Sequence, residues 1–444
     1  TMSGLGKGRA RNWIVVALVA LALLGEAARV WRITNHHDLQ VFMLAARRLY
    51  AGENIYADAA PFKAAIEAGI FSMKDDTVVW PYAYAPLIAL VFVPALWLPW
   101  PVVRTGWWLL NAGCLVAGSW LVVRAMRPAK DVANGQGSVA APVGYLPAGV
   151  TMGLVLLYRF DPAVVAMRLG QIEILQFLLL AFTLDSLRQR RDGIAGAALG
   201  VAAGLKFFPL ALVALLLWRK RWRAAAWAVA VAFVTIVGSF ALVGLGTVPA
   251  YLDYTSIYGI GGAFAAFPLN QSLNGFFSRN LMRNAFSPSL AGLDLPWLAR
   301  GLTLVSSALI VSLSAWLTWH PAGGRIAQDE EGRRLGLEFA LAVVALLLIS
   351  PHSQVYTLVW ALLSLVALGC WLLVDGGTRR SGVISWGTRW WPWIGLAIVY
   401  LLLGRSYALY YPGVTRFVQS HYLFGLLGLW ALIGGALLRE RRLA

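Results

Sequence analysis

Long apolar runs, separated by short basic segments, dominate the chain. The runs lie at 13–33, 82–100, 104–124, 143–160, 171–186, 193–205, 207–218, 222–246, 297–318, 334–350, 355–374, 388–404 and 421–438. Most are long enough for a transmembrane helix, which needs about 20 residues, and they lack the alternation typical of barrel strands. The pattern predicts an all-α, polytopic membrane protein in which residues 1–444 form one domain.

The distribution of charge predicts how these helices are oriented. Only 13% of the residues are charged, against about 25% in a soluble domain. The net charge is +17, and the Lys and Arg residues concentrate in segments such as 188–193, 219–223 and 324–334. The positive-inside rule assigns such segments to the cytoplasm. The partner implied by this charge is therefore the lipid bilayer and not nucleic acid, and residues 34–80 and 247–296 become extracytoplasmic loops.

Counting the crossings exposes an inconsistency. Thirteen apolar segments cannot connect two cytoplasmic termini, because termini on one side require an even number of crossings. We therefore expect about 12 transmembrane helices, with one segment in 82–160 falling short of a full span. Segments 193–205 and 207–218 are also short, and they meet at the sequence GLKFFP, which predicts a broken helix pair.

The first extracytoplasmic loop, 34–80, opens with a polar motif that runs into a helical pattern. Apolar residues recur at helical spacing in HDLQVFMLAARRLYAGENIY, at Val41, Leu44, Ala45 and Leu49. The spacing predicts an amphipathic helix on the membrane surface, ended by Gly52. Asp38, at its start, has two interpretations: an N-cap of a connector, or a general base for a sugar hydroxyl at the membrane–water boundary.

Two ionisable residues interrupt apolar runs. Glu173 lies in LGQIEILQFLLLAF, close to Arg168 and Gln171, and Lys206 precedes Pro209 between long apolar stretches. Charged residues inside apolar runs are expensive and mark function by default, although a Glu near a span end also suits the headgroups and Lys can snorkel. Because a lysine beside a helix break favours an anion, we expect Lys206 to contact a lipid phosphate.

The second loop and a later turn supply further polar groups. FPLNQSLNGFFSRNLMR, within 247–296, carries Asn270 and Gln271, whose amides suit sugar hydroxyls, with Arg279 nearby. In SPHSQVYTLVW, His352 follows a proline at the predicted outer mouth of a span. A lone histidine is more often structural, but this one shares a side with the other candidates. The sequence contains no metal-ligand, Walker or GxGxxG pattern, so we predict no metal and no cofactor.

Six motifs in a fixed order carry a family resemblance. They are HDLQVFMLAARRLYAGENIY, WPYAYAPLIALVFVPALWLP, LGQIEILQFLLLAF, GVAAGLKFFPLALVALLLWRKRW, FPLNQSLNGFFSR and SPHSQVYTLVW, from about residue 38 to about residue 360. On these motifs the chain resembles the GT-C glycosyltransferases. More closely, it resembles the bacterial polyprenol-phosphate-mannose-dependent α-mannosyltransferases that act on phosphatidylinositol mannosides.

The resemblance implies a GT-C fold and a reaction. A sugar would pass with inversion from a polyprenyl-phosphate donor to an envelope glycolipid or glycan, outside the plasma (inner) membrane of a bacterium. Asp38 is implied as the base, with Asp58 as its fallback and His352 as a further catalytic candidate. The substrate-binding candidates are Lys206, Arg168, Gln171, Glu173, Asn270, Gln271, Arg279, Tyr84 and Arg47.

One departure from the mannosyl members leaves the sugar and the acceptor open. Tyr356 and Thr357 occupy the positions where those members carry a histidine pair, so mannose, another hexose or a pentose fits. A transporter or flippase of a lipid-linked glycan is the alternative function, although the matched, interrupted halves typical of transporters are missing. A lipid phosphotransferase, polymerase or ligase is a third hypothesis, which lacks a visible nucleophile or metal cluster.

Overall fold

The computed structural model describes residues 25–68 except 26, 80–127, 159–284, 286, 292–319, 328–377, 390–406 and 416–443. Within these ranges the protein is all-α, as predicted, and its extended pairing is a single bridge between Asn270 and Gln354. Most of the predicted apolar segments at 143–160 and 13–33 lies outside the described residues.

Apolar helices of unequal length make up the described part of the chain. The α-helices are His37–Tyr50, Ala59–Glu67, Leu87–Phe92, Trp100–Met126, Asp161–Leu169, Glu173–Arg188, Asp192–Leu205, Val213–Trp218, Trp222–Val243, Val248–Thr255, Leu273–Leu281, Pro296–Thr318, Gln328–Ile349, Ala361–Gly377, Trp390–Gly404, Arg416–Gln419 and His421–Leu443. Five stretches are long and apolar enough to cross a membrane: Trp100–Met126, Trp222–Val243, Pro296–Thr318, Val355–Val374 and His421–Arg442. They indicate a multi-pass membrane protein, whereas the expected total of about 12 helices stays a prediction.

The apolar segment at 82–100 departs most clearly from a regular span. It forms the short helix Leu87–Phe92, which continues as a 3₁₀ turn over Val93–Trp97. A helix of this combined length rises about 16 Å, roughly half of the hydrocarbon core of a bilayer. This is the kind of incomplete crossing that the count of segments requires within 82–160.

The predicted helix break at Lys206 is confirmed. Helix Asp192–Leu205 is followed by Lys206, whose backbone is extended, with φ of −154° and ψ of 126°. A 3₁₀ turn over Phe208–Leu212 and helix Val213–Trp218 follow. Pro209, near the start of that turn, has no N–H for a helical hydrogen bond, and its ring disfavours continuation of the preceding helix.

Three glycines hold the helix that ends at Lys206 against its neighbour. An added Cβ would come within 3.0 Å of atoms of helix Trp222–Val243 at each of Gly196, Gly200 and Gly204. Small residues at four-residue spacing allow helix backbones to approach closely in a membrane. The packing of Asp192–Leu205 on Trp222–Val243 therefore determines where the backbone of Lys206 lies.

The helix His37–Tyr50 is confirmed, and the face that it buries in the protein differs from the apolar stripe predicted for the membrane surface. Its buried residues are Leu39, Phe42, Met43, Ala45 and Ala46, whereas Val41, Leu44 and Leu49 are only partly buried. Phe42 contacts the ring of Tyr84 at 5.2 Å between centroids. The buried face differs because the helix packs against the segment after Trp80 and not only against lipid. The helix ends before Gly52, whose φ of 72° suits a glycine.

Two hydrophobic cores meet within the protein. The bundle core includes Ile174, Phe177, Leu341 and Trp360. The loop core includes Leu39, Phe42, Tyr84, Ile172 and Phe264. Because Ile172 and Ile174 belong to different cores, Glu173 lies at the boundary between them.

Ion pairs gather at the far end of helix Glu173–Arg188. Arg124 pairs there with the buried Asp185. Arg219 and Arg334 pair with the buried Glu338 at 3.2 and 3.1 Å. A 16-residue helix spans about 24 Å. The basic segments and Glu173 therefore lie at opposite ends of the bundle.

Candidate active site

Asp38, Gln171 and Tyr84 form a hydrogen-bonded chain. The Gln171 Nε2 donates to Asp38 Oδ2 at 2.5 Å, and the Tyr84 hydroxyl donates to Gln171 Oε1 at 2.8 Å. Gln171 is buried, whereas the Asp38 side chain is 21% exposed. The amide thus fixes one carboxylate oxygen while part of the carboxylate stays accessible.

The interpretation of Asp38 as an N-cap is wrong. Helix His37–Tyr50 is preceded by His36, which has a left-handed backbone with φ of 54°, and no side chain caps the helix. Asp38 is the second helical residue, and its carboxylate contacts Gln171 and His37 instead. The His37 Nδ1 lies 3.5 Å from Asp38 Oδ1.

Lys206 forms an ion pair with Glu173 between two tyrosine rings. The Lys206 Nζ lies 2.6 Å from Glu173 Oε1. It lies 5.2 Å from the ring centroid of Tyr356 and 5.8 Å from that of Tyr84. Glu173 is fully buried, whereas the Lys206 side chain is 18% exposed. Tyr84 therefore contacts both charged residues. Its ring contacts Lys206, and its hydroxyl donates to the Gln171 amide, which in turn binds Asp38.

The tyrosine hydroxyls around this pair stay protonated. Burial, with the nearby Glu173 and Asp38 carboxylates, raises the pKa of Tyr84 well above its ordinary value. Burial raises the pKa of Tyr258 to about 12, and the Asp38 charge acts in the same direction. Both phenols are therefore neutral at physiological pH, and the Tyr84 hydroxyl donates to Gln171.

His352 lies in the aromatic wall beside these residues. It is buried, its Nε2 is 2.8 Å from Gln354 Nε2, and its ring is 4.8 Å from that of Tyr258. Burial, reinforced by the cations Lys206 and Arg279, lowers the pKa of His352 to about 3. Its imidazole is therefore neutral at physiological pH.

The side chain of Asn270 holds the residues on either side of His352, and that of Gln271 contacts other backbone carbonyls. The Asn270 Nδ2 donates to the Pro351 carbonyl at 3.1 Å, and its Oδ1 accepts from the Ser353 N–H at 3.0 Å. The Gln271 Nε2 donates to the carbonyls of Pro268 and Gln419. Both side chains are fully buried. Their amide donors, predicted to contact sugar hydroxyls, are thus satisfied within the protein.

The three predicted arginines lie in different surroundings. Arg279 is fully buried and donates to the carbonyls of Phe267 and Asn270. Burial lowers its pKa to about 9. The Arg168 carbonyl accepts the backbone N–H of His36 at 3.0 Å, and Arg47 is exposed. Arg168 and Arg279 therefore brace loops, through a carbonyl and a guanidinium respectively.

Asp58 is held apart from the Asp38 chain. Its two carboxylate oxygens accept hydrogen bonds from Arg48 at 2.6 and 3.0 Å. This bidentate pair joins helix His37–Tyr50 to the start of helix Ala59–Glu67. The geometry gives Asp58 a structural partner, whereas Asp38 contacts an amide and, among the described residues, forms no ion pair with arginine or lysine.

Sequence reasoning missed three residues of this site. Tyr356 was considered only as a departure from the mannosyl members, yet its ring lies 5.2 Å from Lys206 Nζ. Tyr258 and Gln354 contact His352. The signal for Tyr258 was the tyrosine spacing in YLDYTSIYG, which places Tyr251, Tyr254 and Tyr258 within about two helical turns.

Within the described ranges, no group of three His, Cys, Asp or Glu side chains is arranged to hold a metal ion. The expectations of no metal and no cofactor stay predictions. Among the candidate residues, Asp38 and Lys206 carry charged groups that are linked to Tyr84, through Gln171 and through its ring respectively.

Comparison with known proteins agrees with the resemblance seen in the motifs. The profile described as Glycosyltransferase family 87 matches residues 82–351. The chain is 28% identical over 416 residues to "Polyprenol-phosphate-mannose-dependent alpha-(1-2)-phosphatidylinositol pentamannoside mannosyltransferase" of Mycobacterium tuberculosis (strain CDC 1551 / Oshkosh). This alignment covers 92% of this chain and 82% of the relative. The protein of the same description in Mycolicibacterium smegmatis (strain ATCC 700084 / mc(2)155) is 28% identical over 382 residues, with 82% and 80% covered.

Proposed function

The chain belongs to glycosyltransferase family 87, and we propose that it transfers a sugar from a polyprenyl-phosphate donor to an envelope glycolipid or glycan. Mannose is the first sugar to test, because the two relatives are named for polyprenol-phosphate-mannose dependence. Their names also specify a phosphatidylinositol pentamannoside, which supports a lipid-linked acceptor here.

One observation carries this proposal: the partly exposed side chains of an aspartate and a lysine are both linked to Tyr84. Asp38 reaches Tyr84 through Gln171, and Lys206 contacts its ring. Both charges are partly exposed in surroundings that are otherwise buried. A base and a cation in one cleft are what glycosyl transfer from a lipid phosphate requires, since a proton must leave the acceptor and a phosphate must leave the donor.

The proposed reaction is a single displacement. Asp38 takes the proton of the acceptor hydroxyl while that oxygen attacks the anomeric carbon of the donor. The bond from the anomeric carbon to the phosphate oxygen breaks, and its electron pair leaves with the polyprenyl phosphate. Lys206 balances the charge that develops on this leaving group. Attack opposite the departing phosphate inverts the anomeric configuration.

We propose that the site faces the extracytoplasmic side of a bacterial plasma membrane. The ion-paired, arginine-rich end of the bundle lies one helix length away, beyond Arg188. The positive-inside rule favours a cytoplasmic location for that end. Asp38 and Lys206 would then act at the opposite interface, where a lipid-linked sugar presents its headgroup.

The test is a transfer assay with the full-length protein in proteoliposomes. The donors are polyprenyl-phosphate mannose, glucose and arabinose, and the acceptor is a phosphatidylinositol mannoside. We expect Asp38→Asn to lower the transfer rate by about 10²- to 10⁴-fold, as for removal of a general base. The matched control is Asp253→Asn in the second large loop. It removes an exposed carboxylate that pairs with Lys63 of the first loop.

Three results would overturn parts of this proposal. A wild-type protein that transfers no sugar from any donor, while moving the lipid across the membrane, would indicate a flippase. Full activity in Asp38→Asn with loss in Asp58→Asn would move the base to Asp58. Retention of anomeric configuration in the product would refute a single displacement.

A further inference from the structure

A second polar cluster surrounds His36, in the loop that precedes the helix of Asp38. We call it the tryptophan–arginine cluster, and its members are Trp31, His36, Trp100, Arg104 and Trp108. The His36 ring lies 5.7 Å from that of Trp31 and 6.0 Å from that of Trp100. The Arg104 guanidinium lies 5.0 Å from the Trp31 ring, and Trp108 contacts the same ring at 5.9 Å.

Three nitrogens of this cluster are buried without a hydrogen-bond partner among the described residues. They are His36 Nδ1, Arg104 Nε and Trp108 Nε1. His36 itself is 4% exposed. Buried polar atoms are almost always paired in native proteins. Because Arg104 Nε and Trp108 Nε1 can only donate, these two unpaired nitrogens around one tryptophan indicate a place for a hydrogen-bond acceptor. The adjacent Trp107 provides a contrast, because its Nε1 donates to the Gly170 carbonyl at 2.8 Å.

The chemistry of the cluster selects a negatively charged acceptor. Arg104 and Trp108 only donate hydrogen bonds, and the Arg104 guanidinium carries a permanent positive charge. Within the described part of the chain, no carboxylate forms an ion pair with Arg104. A phosphate group offers several acceptor oxygens in the geometry that a guanidinium recognises.

The position of the cluster makes a membrane lipid the source of this phosphate. Trp100 and Arg104 lie in the first turns of the apolar helix Trp100–Met126, which is long enough to cross a membrane. Tryptophan rings at span ends lie at the level of the lipid headgroups. The cluster is therefore placed where lipid phosphates are concentrated.

We propose that the tryptophan–arginine cluster binds the phosphate group of a membrane lipid beside the candidate active site. The segment 168–171 contacts both sites, since the Arg168 carbonyl accepts from His36 N–H and Gln171 holds Asp38. The lipid is either a polyprenyl phosphate or a glycerophospholipid, which share the phosphate. The proposal rests on unpaired donors and stands independently of sugar transfer.

The test measures lipid binding to the detergent-purified, full-length protein by native mass spectrometry. The probes are polyprenyl phosphate, dioleoylphosphatidylglycerol and, without phosphate, dioleoylglycerol. We expect Arg104→Gln to weaken binding of a phosphate-bearing probe about tenfold and Trp108→Phe about threefold, as for loss of a charged and a neutral hydrogen bond. Dioleoylglycerol should bind all variants alike.

Two control variants separate this site from general interfacial charge. Arg32→Gln removes an exposed arginine next to Trp31, and Trp120→Phe alters a tryptophan that is 52% exposed on helix Trp100–Met126. We expect both to bind every probe as the wild type does. Because Trp108→Phe retains the aromatic ring and removes the N–H, it carries the test if Arg104→Gln does not fold.

The outcomes are separable. Weakening confined to polyprenyl phosphate assigns the site to the donor or product lipid, and weakening confined to phosphatidylglycerol assigns it to a glycerophospholipid; either supports the proposal. Unchanged affinity in both cluster variants, or an equal loss in Arg32→Gln, overturns it. Since binding is measured without a sugar, failure of this proposal leaves the transfer assay unaffected.

Discussion

Replacing Glu173 by glutamine isolates the energetic role of the buried ion pair. The substitution keeps the size of the side chain and removes its charge, so Lys206 loses the carboxylate that lies 2.6 Å from its Nζ. Glu173 is fully buried, and no other carboxylate pairs with Lys206 among the described residues. The ammonium would then remain in a mostly apolar site, between the rings of Tyr84 and Tyr356.

The expected effect on stability follows from the burial of the two partners. Removing one partner of a fully buried pair costs about 3–5 kcal/mol. Because Lys206 is 18% exposed, water reaches part of the ammonium, and we expect the lower end, about 3 kcal/mol of unfolding free energy. Neutralising both partners in Glu173→Gln/Lys206→Met should recover most of this loss, since no unpaired charge remains.

Unfolding in detergent, followed by circular dichroism, measures these differences. The matched control is Asp192→Asn, which breaks the partly exposed pair with Arg221 at the other end of the helix that leads to Lys206. A pair of that kind contributes about 1 kcal/mol or less. If Glu173→Gln unfolds like the wild type, or if the double variant is no more stable than the single one, the reasoning is refuted.

The same double variant separates stability from function. Although its fold is restored, it lacks the ammonium that we propose to act on the donor phosphate. We therefore expect a lower kcat, together with a higher KM for the polyprenyl-phosphate sugar and little change in the KM of the acceptor. Equal increases for both substrates would show that Lys206 has a structural role only.

Three further predictions test the surroundings of the site. Gln171→Leu, which removes the donor to Asp38 Oδ2, should lower the transfer rate about tenfold, as for loss of a hydrogen bond to a charged group; a rate like that of the wild type would contradict this. Gly200→Val should lower the unfolding free energy by about 1–3 kcal/mol through overpacking, because a Cβ there would lie 2.7 Å from the Ala228 carbonyl oxygen. The pKa of His352 falls from 6.5 to about 3 on folding, so the unfolded state binds more protons between these values and stability falls as the pH falls. His352→Gln should remove about 2 kcal/mol of the stability difference between pH 7 and pH 5, and an unchanged difference would refute that assignment.

Several expectations from the sequence depended on local signals and were confirmed. The break at Lys206 follows from Pro209, and the helix after Asp38 ends before Gly52, as the residue types indicate. The sequence did not show which apolar residues of that helix face the protein, because apolar residues occupy more than one of its sides. Only packing against Tyr84 and Phe92 distinguishes them.

Some candidate site residues could be identified from the sequence, whereas the role of others depended on the structure. Asp38 and Lys206 could be identified from the sequence as charged residues beside or within apolar runs. Burying a charge costs free energy, so charged residues in such positions indicate function. Asn270, Gln271 and Arg279 carry equally suitable groups, yet the structure satisfies their donors with backbone carbonyls. A sequence lists donors and acceptors without showing which of them are already paired.

Apolar run length, basic segments and helix breakers by themselves determined an all-α membrane protein, and motif order determined its family. Each of these signals is a property of the linear sequence and does not depend on which distant residues are in contact. Tertiary structure alone decided that Gln171 joins Asp38 to Tyr84 and that Glu173 neutralises Lys206, across separations of 133, 87 and 33 residues. Such pairings depend on which faces of distant helices meet, a choice made by side-chain packing throughout the bundle.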